Sequence, residues 1–438
     1  MTEKEAGLGR KYRLEMGFDA GSFDRHPPLS VIHEASEQIL SDRRGSHKGR
    51  GRHSGVQGRT RTSLASVVAI RYNEFVNTTS TEGTLTPRER GFRMPAEWEG
   101  REATLMAWPV RAEAWLDGLD EARDGFVEVA NAISGFERVI MIARGNAEAD
   151  GYSPFKDARK RLSSAIEVWD LPHDDSWLRD NGPTFLLDEK GGRCGIDWRF
   201  NAWGRKYEPY DADDRLASLV LRRMETERVA APLVLEGGSI HTDGEGTLLV
   251  TEECLLARNR NPDLSKADIE DLLREYLGVD TFIWLDRGLA GDETDGHVDN
   301  LACFVRPGLI AVQVTSDPEQ ENYANSARNL AILAEARDYA GRRPQVLKIE
   351  QPPARSCRGE RLTLSYVNYY PVSGGLVIPV FGRDGDSAMR ASDERALSTL
   401  REAYPGRKTV AIDGLRIIKG GGNVHCITQQ IPAPRRLS

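Results

Sequence analysis

The chain has 438 residues, with 59 Lys and Arg against 67 Asp and Glu, a formal net charge of -8 and a mean hydropathy of -0.49. No apolar run approaches the roughly 20 residues that cross a bilayer, and the five cysteines never form a Cys-x-x-Cys pair. These features exclude a membrane protein and a disulfide-stapled secreted protein, and they predict a cytoplasmic chain with reduced thiols. The negative charge argues against nucleic acid as the main partner and suits a small cationic substrate.

Residues 1–92 differ in composition from the rest of the chain. They hold 15 Lys and Arg against 11 Asp and Glu, and include polar, glycine-rich stretches such as Ser41-Asp-Arg-Arg-Gly-Ser-His-Lys-Gly-Arg-Gly-Arg-His-Ser54. Such stretches bury too little apolar surface to offset the entropy of ordering the chain. We therefore expect a largely disordered, solvated basic extension over 1–92, followed by a single folded domain over 93–438.

Within the second part, helical patterns alternate with pairs of short strands. The helical patterns cover residues 113–136, 264–277, 318–340 and 392–403. Ser265 with Asp268 predicts a capped helix start, and Gly278 closes that helix. Strand pairs surround the turns Asp243-Gly-Glu-Gly246 and Arg306-Pro-Gly308. Repeated strand-helix modules favour a radial or barrel-like α/β fold, in which equivalent strand starts converge.

A short polar motif recurs just before several of these strands. Its copies are Arg179-Asp-Asn-Gly-Pro-Thr-Phe-Leu-Leu187, Leu235-Glu-Gly-Gly-Ser-Ile-His241, Thr294-Asp-Gly-His-Val-Asp-Asn-Leu-Ala302 and Lys419-Gly-Gly-Gly-Asn-Val-His-Cys-Ile427. Because strand starts meet at the centre of a radial fold, we expect the polar side chains of these motifs to meet there as well.

Taken singly, the acidic and imidazole residues of these motifs have ordinary structural interpretations. On an extended chain His297 and Asp299 share one face, which is typical of a structural hydrogen bond. Metal ligation would need further ligands, and no His-Glu-x-x-His or Cys-x-x-Cys motif supplies them. Asp180 lies in an Asp-Asn-Gly-Pro turn signal, and Glu236 lies at a loop mouth before two glycines.

The segment from Lys419 to Gln430 is the least ordinary, with three glycines ahead of His425 and Cys426. Both common nucleotide-binding glycine patterns are absent here, so we expect the glycines to clear space beside Cys426. On a strand His425 would point away from Cys426 and would serve it poorly as a base. The other four cysteines are expected to be inert: Cys194, Cys254, Cys303 and Cys357.

Together these residues form a set suited to a guanidinium, which is planar and cationic and carries forked N–H donors. Asp180 and Asp299 would accept those donors in bidentate pairs. The electron-poor carbon would take the Cys426 thiolate, ammonia would leave once His297 protonates it, and water would then release a ureido product. Clustered carboxylates raise the pKa of Cys426 in the empty site, and a bound cation offsets that effect.

Longer motifs extend this set over residues 94–434. They are Met94-Pro-Ala-Glu-Trp-Glu99, Thr104-Leu-Met-Ala-Trp-Pro109, Trp177-Leu-Arg-Asp-Asn-Gly-Pro183, Phe200-Asn-Ala-Trp-Gly204 with Lys206-Tyr207, Glu236-Gly-Gly238, Arg258-Asn-Arg-Asn-Pro262, Thr294-Asp-Gly-His-Val-Asp-Asn300 and Gly420-Gly-Gly-Asn-Val-His-Cys-Ile-Thr-Gln-Gln430. On these motifs the chain closely resembles the agmatine deiminase family of the guanidino-group-modifying pentein superfamily, which includes bacterial peptidylarginine deiminases.

The resemblance implies a five-bladed α/β propeller of ββαβ modules and a catalytic domain that hydrolyses agmatine to N-carbamoylputrescine and ammonia in putrescine biosynthesis. It implies no metal or organic cofactor, and a homodimer. It assigns the nucleophile to Cys426, the acid-base imidazole to His297, and guanidinium binding to Asp180 and Asp299. Glu236 takes a further acidic position in the guanidinium pocket.

The resemblance also implies three substrate-binding residues outside that set. Trp177 packs on the substrate, Glu293 faces the far amine, and Gly421 lines the substrate pocket. This chain departs from the family pattern at Arg101 and Arg205. A cation at the pocket mouth would repel the amine of agmatine and favour free or peptidyl arginine as the substrate. A catalytically silent small-cation binder on the same scaffold is the remaining alternative.

Overall fold

The computed structural model of this chain describes residues 85–146 and 151–434. Most of the expected disordered extension, residues 1–84, lies outside the described residues. Residues 85–92 were assigned to that extension incorrectly, because they pack on the folded part: Phe92 is buried with Met94, and the Arg88 guanidinium donates to Asp280 at 2.6 Å. The folded part therefore begins at or before Leu85.

Eighteen strands are present among the described residues. They are β1 (Arg101–Ala107), β2 (Arg138–Ile142), β3 (Glu167–Trp169), β4 (Thr184–Leu187), β5 (Arg193–Arg199), β6 (Glu227–Val234), β7 (His241–Thr242), β8 (Thr247–Thr251), β9 (Thr281–Leu285), β10 (Ala302–Arg306), β11 (Leu309–Val314), β12 (Gln345–Glu350), β13 (Ser356–Cys357), β14 (Glu360–Arg361), β15 (Tyr370–Val372), β16 (Gly375–Val380), β17 (Lys408–Asp413) and β18 (Gln429–Pro432). The predicted turns at Asp243–Gly246 and Arg306–Gly308 do join strand pairs, β7 with β8 and β10 with β11.

The strands repeat one module five times. In four sheets, β4-β5-β6, β7-β8-β9, β10-β11-β12 and β15-β16-β17, the first two strands are antiparallel and the third is parallel to the second. The fifth sheet has the order β18-β1-β2-β3, so the strand nearest the C-terminus completes the module that opens the fold. The predicted five-bladed α/β propeller of ββαβ modules is confirmed.

One longer helix connects the second and third strands of each module: Leu119–Ser134, Leu216–Arg223, Lys266–Leu277, Tyr323–Glu335 and Ser387–Ala403. A further helix, Pro154–Arg161, precedes β3. Short helices are Leu178–Asn181, Ala202–Arg205, Asp211–Asp214, Glu252–Leu255, Val298–Leu301 and Leu415–Ile418, with 3-10 turns at Ala112–Ala114 and Gly237–Ser239. Each predicted long helix is present, with different limits.

Local chemistry explains where these helices begin and end. Ser265 and Asp268 form a reciprocal capping box, and Gly278 ends that helix with a left-handed φ of 64°, as predicted. The first helix begins later than its apolar pattern predicts, because Gly118 has a φ of 90° immediately before Leu119. The last long helix begins earlier, because the Asp386 side chain accepts from two backbone N–H groups of its first turn.

The helices cover the sheets with their apolar faces. Phe126, Val129 and Ile133 of the first helix are fully buried and share a core cluster with Met141 of β2. Burying a large apolar side chain contributes about 1.5–3 kcal/mol, so these contacts hold the helix against its sheet. Among the described residues, none of the helices combines the length and apolarity that crossing a membrane would require.

Candidate active site

Four of the five modules carry a predicted polar site residue just before the first strand. Asp180 precedes β4, Glu236 precedes β7, His297 and Asp299 precede β10, and Cys426 precedes β18. These five residues are all buried, with at most 5% of each exposed. Their convergence follows from the fold, because the first strands of the modules surround one centre, as the repeated motifs predicted.

The local backbone at His297 differs from the expectation. His297 is the N-cap of the helix Val298–Leu301, and Asp299 lies inside its first turn, so the predicted extended conformation is wrong. The two side chains nevertheless approach each other. A β-carbon built on Gly238 would lie 2.6 Å from Nδ1 of His297 and 3.0 Å from Oδ2 of Asp299. Their proximity thus results from the helical turn, and Gly238 supplies the space between them.

Cys426 lies in a buried, acidic environment. Its Sγ is 3.5 Å from Oδ2 of Asp299 and accepts a hydrogen bond from Nδ2 of Asn368 at 3.1 Å. Burial raises the pKa of the thiol well above its ordinary value, and the nearby Asp299 and Asp180 carboxylates raise it further. In the empty site Cys426 is therefore a neutral thiol.

Asn368 is a site residue that the sequence did not reveal. It precedes β15, the first strand of the one module for which no polar motif was found. Its Oδ1 accepts from the backbone N–H of His425 at 3.0 Å and of Cys426 at 3.4 Å. Asn368 thus anchors the backbone of the cysteine as well as its sulfur. The position of β15 in the repeat was the signal that could have identified it.

His297 lies between two carboxylates. Its Nδ1 is 3.7 Å from Oδ1 of Asp180, and its Nε2 is 3.7 Å from Oε2 of Glu236. Burial lowers the pKa of His297, but Asp180, Cys254 and Glu236 outweigh that effect and raise it well above the ordinary value. His297 is therefore an imidazolium in the empty site. Cys254, expected to be inert, is in fact a neighbour of this ring.

Asp180 is fixed from two directions. Oδ2 accepts from the indole N–H of Trp203 and Oδ1 accepts from the backbone N–H of Gly238, both at 2.9 Å. Burial raises the pKa of Asp180 to about 6; His297 opposes this rise, whereas Asp299 and Glu236 add to it. Trp203 lies in a left-handed stretch, with φ values of 51°, 54°, 90° and 63° over residues 202–205. This strained turn aims the indole at Asp180.

Glu236 is paired with a buried arginine that the sequence analysis left without a role. Nε of Arg260 donates to Oε1 of Glu236 at 2.6 Å, and its NH1 donates to Asp295 at 2.7 Å. Burial raises the pKa of Glu236, but the nearby His297 imidazolium and the charge of Arg260 lower it below the ordinary value. Glu236 is thus ionised beside the His297 imidazolium.

A pocket opens onto Cys426 and Asp180. Its remaining lining residues are Trp177, Trp203, Tyr207, Glu293, Thr294, Gly420, Gly421 and Gly422. The Trp177 ring stacks on Trp115 with centroids 5.3 Å apart. At the other end, the exposed carboxylate of Glu293 accepts from the Tyr207 hydroxyl at 2.8 Å.

The three glycines form a bare backbone wall along this pocket. A β-carbon on Gly422 would lie 3.0 Å from Sγ of Cys426, and one on Gly421 would lie 3.7 Å from Oε2 of Glu293. The strip therefore runs from the thiol to the outer carboxylate. Gly421 also has a φ of 105°, a conformation that side chains rarely adopt.

The two arginines that depart from the family pattern do not line the pocket. Arg101 lies over the Tyr370 ring, with Cζ 4.5 Å from the ring centroid, and only 3% of its side chain is exposed. Arg205 is exposed on the surface, in the left-handed stretch that carries Trp203. Among the described residues that line the pocket none is basic, so neither arginine repels a cation there.

Two buried clusters bring possible metal ligands within 4.8 Å of one another: Glu97, His241 and His425, and Glu236, Cys254 and His297. In each cluster a guanidinium already contacts the carboxylate. Arg179 is 3.2 Å from Glu97, and Arg260 is 2.6 Å from Glu236. We interpret the first cluster as a charge-balanced hydrogen-bond network and the second as a set of paired charges, rather than as metal centres.

Known proteins were compared with this chain by family model, by sequence and by structure, and all three comparisons agree. The model of the Porphyromonas-type peptidyl-arginine deiminase family matches residues 93–432. The agmatine deiminases of Pseudomonas aeruginosa (strain UCBPP-PA14) and Stutzerimonas stutzeri (strain A1501) are 45% and 44% identical over 380 and 374 residues, covering 81% and 80% of this chain and 99% and 98% of theirs.

Two solved structures cover a similar span. The agmatine deiminase of Enterococcus faecalis has a TM-score of 0.75 at 34% identity, covering 81% of this chain and 99% of that one. A Cys-to-Ser variant of the C. jejuni agmatine deiminase with substrate bound has a TM-score of 0.68 at 27% identity, covering 79% and 97%. This chain therefore belongs to the Porphyromonas-type peptidyl-arginine deiminase family of the pentein superfamily, together with these agmatine deiminases.

Proposed function

We propose that this chain hydrolyses agmatine to N-carbamoylputrescine and ammonia, with Cys426 as the nucleophile. The lining of the pocket carries this proposal. A thiol and Asp180 lie at the inner end, Glu293 lies at the outer end, and no described lining residue is basic. Such a pocket suits a chain with a cation at each end. The agmatine deiminases that are 45% and 44% identical to this chain support the assignment.

Binding begins with recognition of the two cations. The guanidinium edges pair with Asp180 and Asp299, whose oxygens accept forked N–H donors. Trp177 packs against the flat substrate, and Glu293 accepts the far ammonium. Asp180, whose pKa is about 6, is ionised at neutral pH, and a bound cation favours that form further.

The first half-reaction forms a bond to sulfur and breaks a bond to nitrogen. The bound cation offsets the acidic surroundings of Cys426, so the thiol loses its proton to solvent and the thiolate attacks the guanidinium carbon. The neutral tetrahedral adduct then takes a proton from the His297 imidazolium onto one amino nitrogen. Ammonia leaves, and an S-linked amidinium cation remains on Cys426 with His297 neutral.

The second half-reaction returns the enzyme to its starting state. Neutral His297 removes a proton from water, and the oxygen attacks the amidinium carbon. The new tetrahedral adduct expels the Cys426 thiolate, and its hydroxyl proton passes to that thiolate, giving the ureido product and the neutral thiol. Over the cycle the guanidinium cation and one water become a urea and ammonium. Glu236, held by Arg260, keeps the ring of His297 in place through both steps.

The test is ammonia release from agmatine by the purified full-length chain, its Cys426→Ser variant and a Cys357→Ser control. Cys357 is a half-buried thiol outside the pocket, so its loss should leave the rate within about twofold. We expect Cys426→Ser to abolish turnover. Full activity of the Cys426→Ser variant would reject the mechanism. No ammonia from the unaltered chain would reject the function. The second outcome would also favour a silent cation binder.

Free arginine and an arginine-containing peptide are tested in the same assay, as are Arg205→Gly and Arg101→Lys variants. Because neither arginine lines the pocket, we expect agmatine to be preferred and both variants to keep that preference. A faster reaction with arginine, whose product is citrulline, would instead reverse the substrate assignment. Dimerisation and a place in putrescine biosynthesis stay predictions from the resemblance.

A further inference from the structure

A buried imidazole lies between two buried carboxylates immediately behind the pocket. Nδ1 of His425 is 2.9 Å from Oδ2 of Asp299, and Nε2 is 2.7 Å from Oε1 of Glu97. All three residues are at most 5% exposed. An ionised carboxylate can only accept hydrogen bonds, so both contacts are satisfied only when both ring nitrogens carry hydrogen. His425 does not lie on a strand, because β18 begins at Gln429.

The groups that face His425 leave the cluster balanced in charge. NH1 of Arg179 is 3.2 Å from Oε1 of Glu97, and its Nε donates to the backbone carbonyl of His425. The rings of His241 and Tyr370 face it at centroid distances of 6.3 and 6.4 Å. An imidazolium at His425 with Arg179 gives two cations for the two carboxylates, which is the arrangement that burial requires.

The acidities of the three groups agree with that arrangement. Burial and Arg179 lower the pKa of His425, but Glu97 and the hydrogen bonds to both carboxylates outweigh them and raise it above its ordinary value. Burial raises the pKa of Asp299, yet the hydrogen bond from His425 leads the effects that bring it below its ordinary value. Glu97 likewise stays ionised, because His425 and Arg179 overcome the effect of burial on its pKa.

The contact also decides which oxygen of Asp299 remains for a ligand. Oδ2 is engaged by His425 and lies 3.5 Å from Sγ of Cys426. Oδ1 is buried and has no hydrogen-bond partner among the described residues. An unpaired buried carboxylate oxygen is costly, so Oδ1 of Asp299 is an acceptor suited to a donor from a ligand.

We propose that His425 is a positioning residue: as an imidazolium anchored on Glu97, it fixes Asp299 and keeps it ionised so that Oδ1 receives the guanidinium of the substrate. This inference rests on the proposed function of the same pocket. His425 acts through Asp299, and the proton transfers stay with His297. Cys426, the nucleophile, is thus adjacent in sequence to His425, the residue that supports the Asp299 carboxylate.

The test compares His425→Gln with the unaltered full-length chain on agmatine between about pH 5 and 9. Without the imidazolium, Asp299 is a desolvated carboxylate whose pKa rises, so it is protonated at a higher pH. We expect KM at neutral pH to rise at least about tenfold and kcat to fall less. The acid limb of kcat/KM, which Asp180 sets at about pH 6 in the unaltered chain, should move up by about one pH unit or more, because Asp299 then becomes the last of the two carboxyl groups to ionise.

His241→Gln is the matched control, because it removes a buried imidazole that is 3.8 Å from Glu97 and whose Nδ1 accepts from the backbone N–H of Phe304 rather than facing Asp299. We expect its acid limb to match that of the unaltered chain. An unshifted limb and unchanged KM in His425→Gln, or an equal shift in both variants, overturns the proposal. Failure of the unaltered chain to release ammonia rejects the proposed function instead, so the two failures are distinguishable.

A second measurement needs neither activity nor a folded His425 variant. Nitrogen-15 NMR of the unaltered full-length chain reports which imidazole nitrogens carry hydrogen, and a Glu97→Gln variant identifies the His425 signals by the change at Nε2. We expect both nitrogens to be protonated at about pH 8, where an ordinary histidine is neutral. A neutral His425 ring at that pH overturns the proposal.

Discussion

Gly238 and His297 are so close that a β-carbon on the glycine would lie 2.6 Å from Nδ1 of the imidazole. The same β-carbon would lie 2.9 Å from Oδ1 of Asp180 and 3.0 Å from Oδ2 of Asp299. We therefore expect Gly238→Ala to displace the acid-base ring and both guanidinium ligands, lowering kcat/KM for agmatine at least about 100-fold. Steady-state ammonia release measures the loss.

Gly100→Ala is the control for that substitution, because a β-carbon there meets no atom within 4 Å. It should retain full activity and the same unfolding temperature. Activity in Gly238→Ala equal to that of the control would show that the site tolerates a methyl group at its centre, contrary to the geometry.

Asp180 predicts an acid limb in the pH profile. With a pKa of about 6 in the empty site, it is neutral below that pH and carries its charge above it. Attraction for the substrate cation should therefore strengthen as pH rises through about 6, and kcat/KM should rise with it. An Asp180→Asn variant should bind agmatine weakly and lose this limb; a limb that persists near pH 6 would assign it to another group.

Cys426 should be a poor nucleophile toward reagents that bring no positive charge. Because its pKa is well above the ordinary value, we expect alkylation by iodoacetamide to be slow at neutral pH and to rise about tenfold per pH unit. Removing the neighbouring charge in Asp180→Asn lowers that pKa, so alkylation at neutral pH should become faster while turnover is lost. Mass spectrometry of the peptide that contains Cys426 measures both rates. Fast alkylation of the unaltered chain would contradict the neutral thiol.

Glu293 and Tyr207 predict how the pocket recognises the far ammonium of agmatine. Glu293→Gln removes the charge that faces the far ammonium, and KM for agmatine should rise about tenfold, which is about 1.4 kcal/mol of binding. Tyr207→Phe removes only the 2.8 Å hydrogen bond to that carboxylate and should raise KM less. A guanidine with an uncharged alkyl tail is the control substrate, because its KM should not respond to either change. An equal response would place Glu293 in a structural role.

Arg260 predicts a large stability effect. Its side chain and that of Glu236 are each 1% exposed, so Arg260→Met leaves a buried carboxylate unpaired at a cost of about 3–5 kcal/mol. Adding Glu236→Gln should recover part of the loss. The exposed pair Arg138 and Glu167, at 2.7 Å, is the control, and Arg138→Met should cost less than about 1 kcal/mol. Denaturant unfolding compares the variants; equal costs would contradict the burial argument.

The sequence predicted the elements whose signals are local. Ser265, Asp268 and Gly278 supply the start and the end of one helix, and glycine turns join the strand pairs at 243–246 and 306–308. These features depend on residues a few positions apart. The convergence of the site followed from the recurrence of polar motifs before strands, because equivalent strand starts meet in a radial fold.

Other features depend on partners that are distant in sequence. Asn368 binds the backbone of His425, 57 residues later, and no motif marks its own module. The extended interpretation of His297 and Asp299 failed because two residues of an HxD pattern can also share a helical turn, as they do here. The role of His425 was missed for the same reason. No local pattern indicated that Glu97, 328 residues earlier, would face it.

The pairing of β18 with β1 gives the order of biosynthesis a protective effect. Cys426 is synthesised after all of the acidic residues that surround it. Only β18, which follows Cys426, completes the first sheet. A polypeptide that ends before residue 426 thus lacks both the sulfur of Cys426 and the strand that closes the ring of sheets. Half-made copies are chemically silent, and hydrolysis starts only in a closed ring.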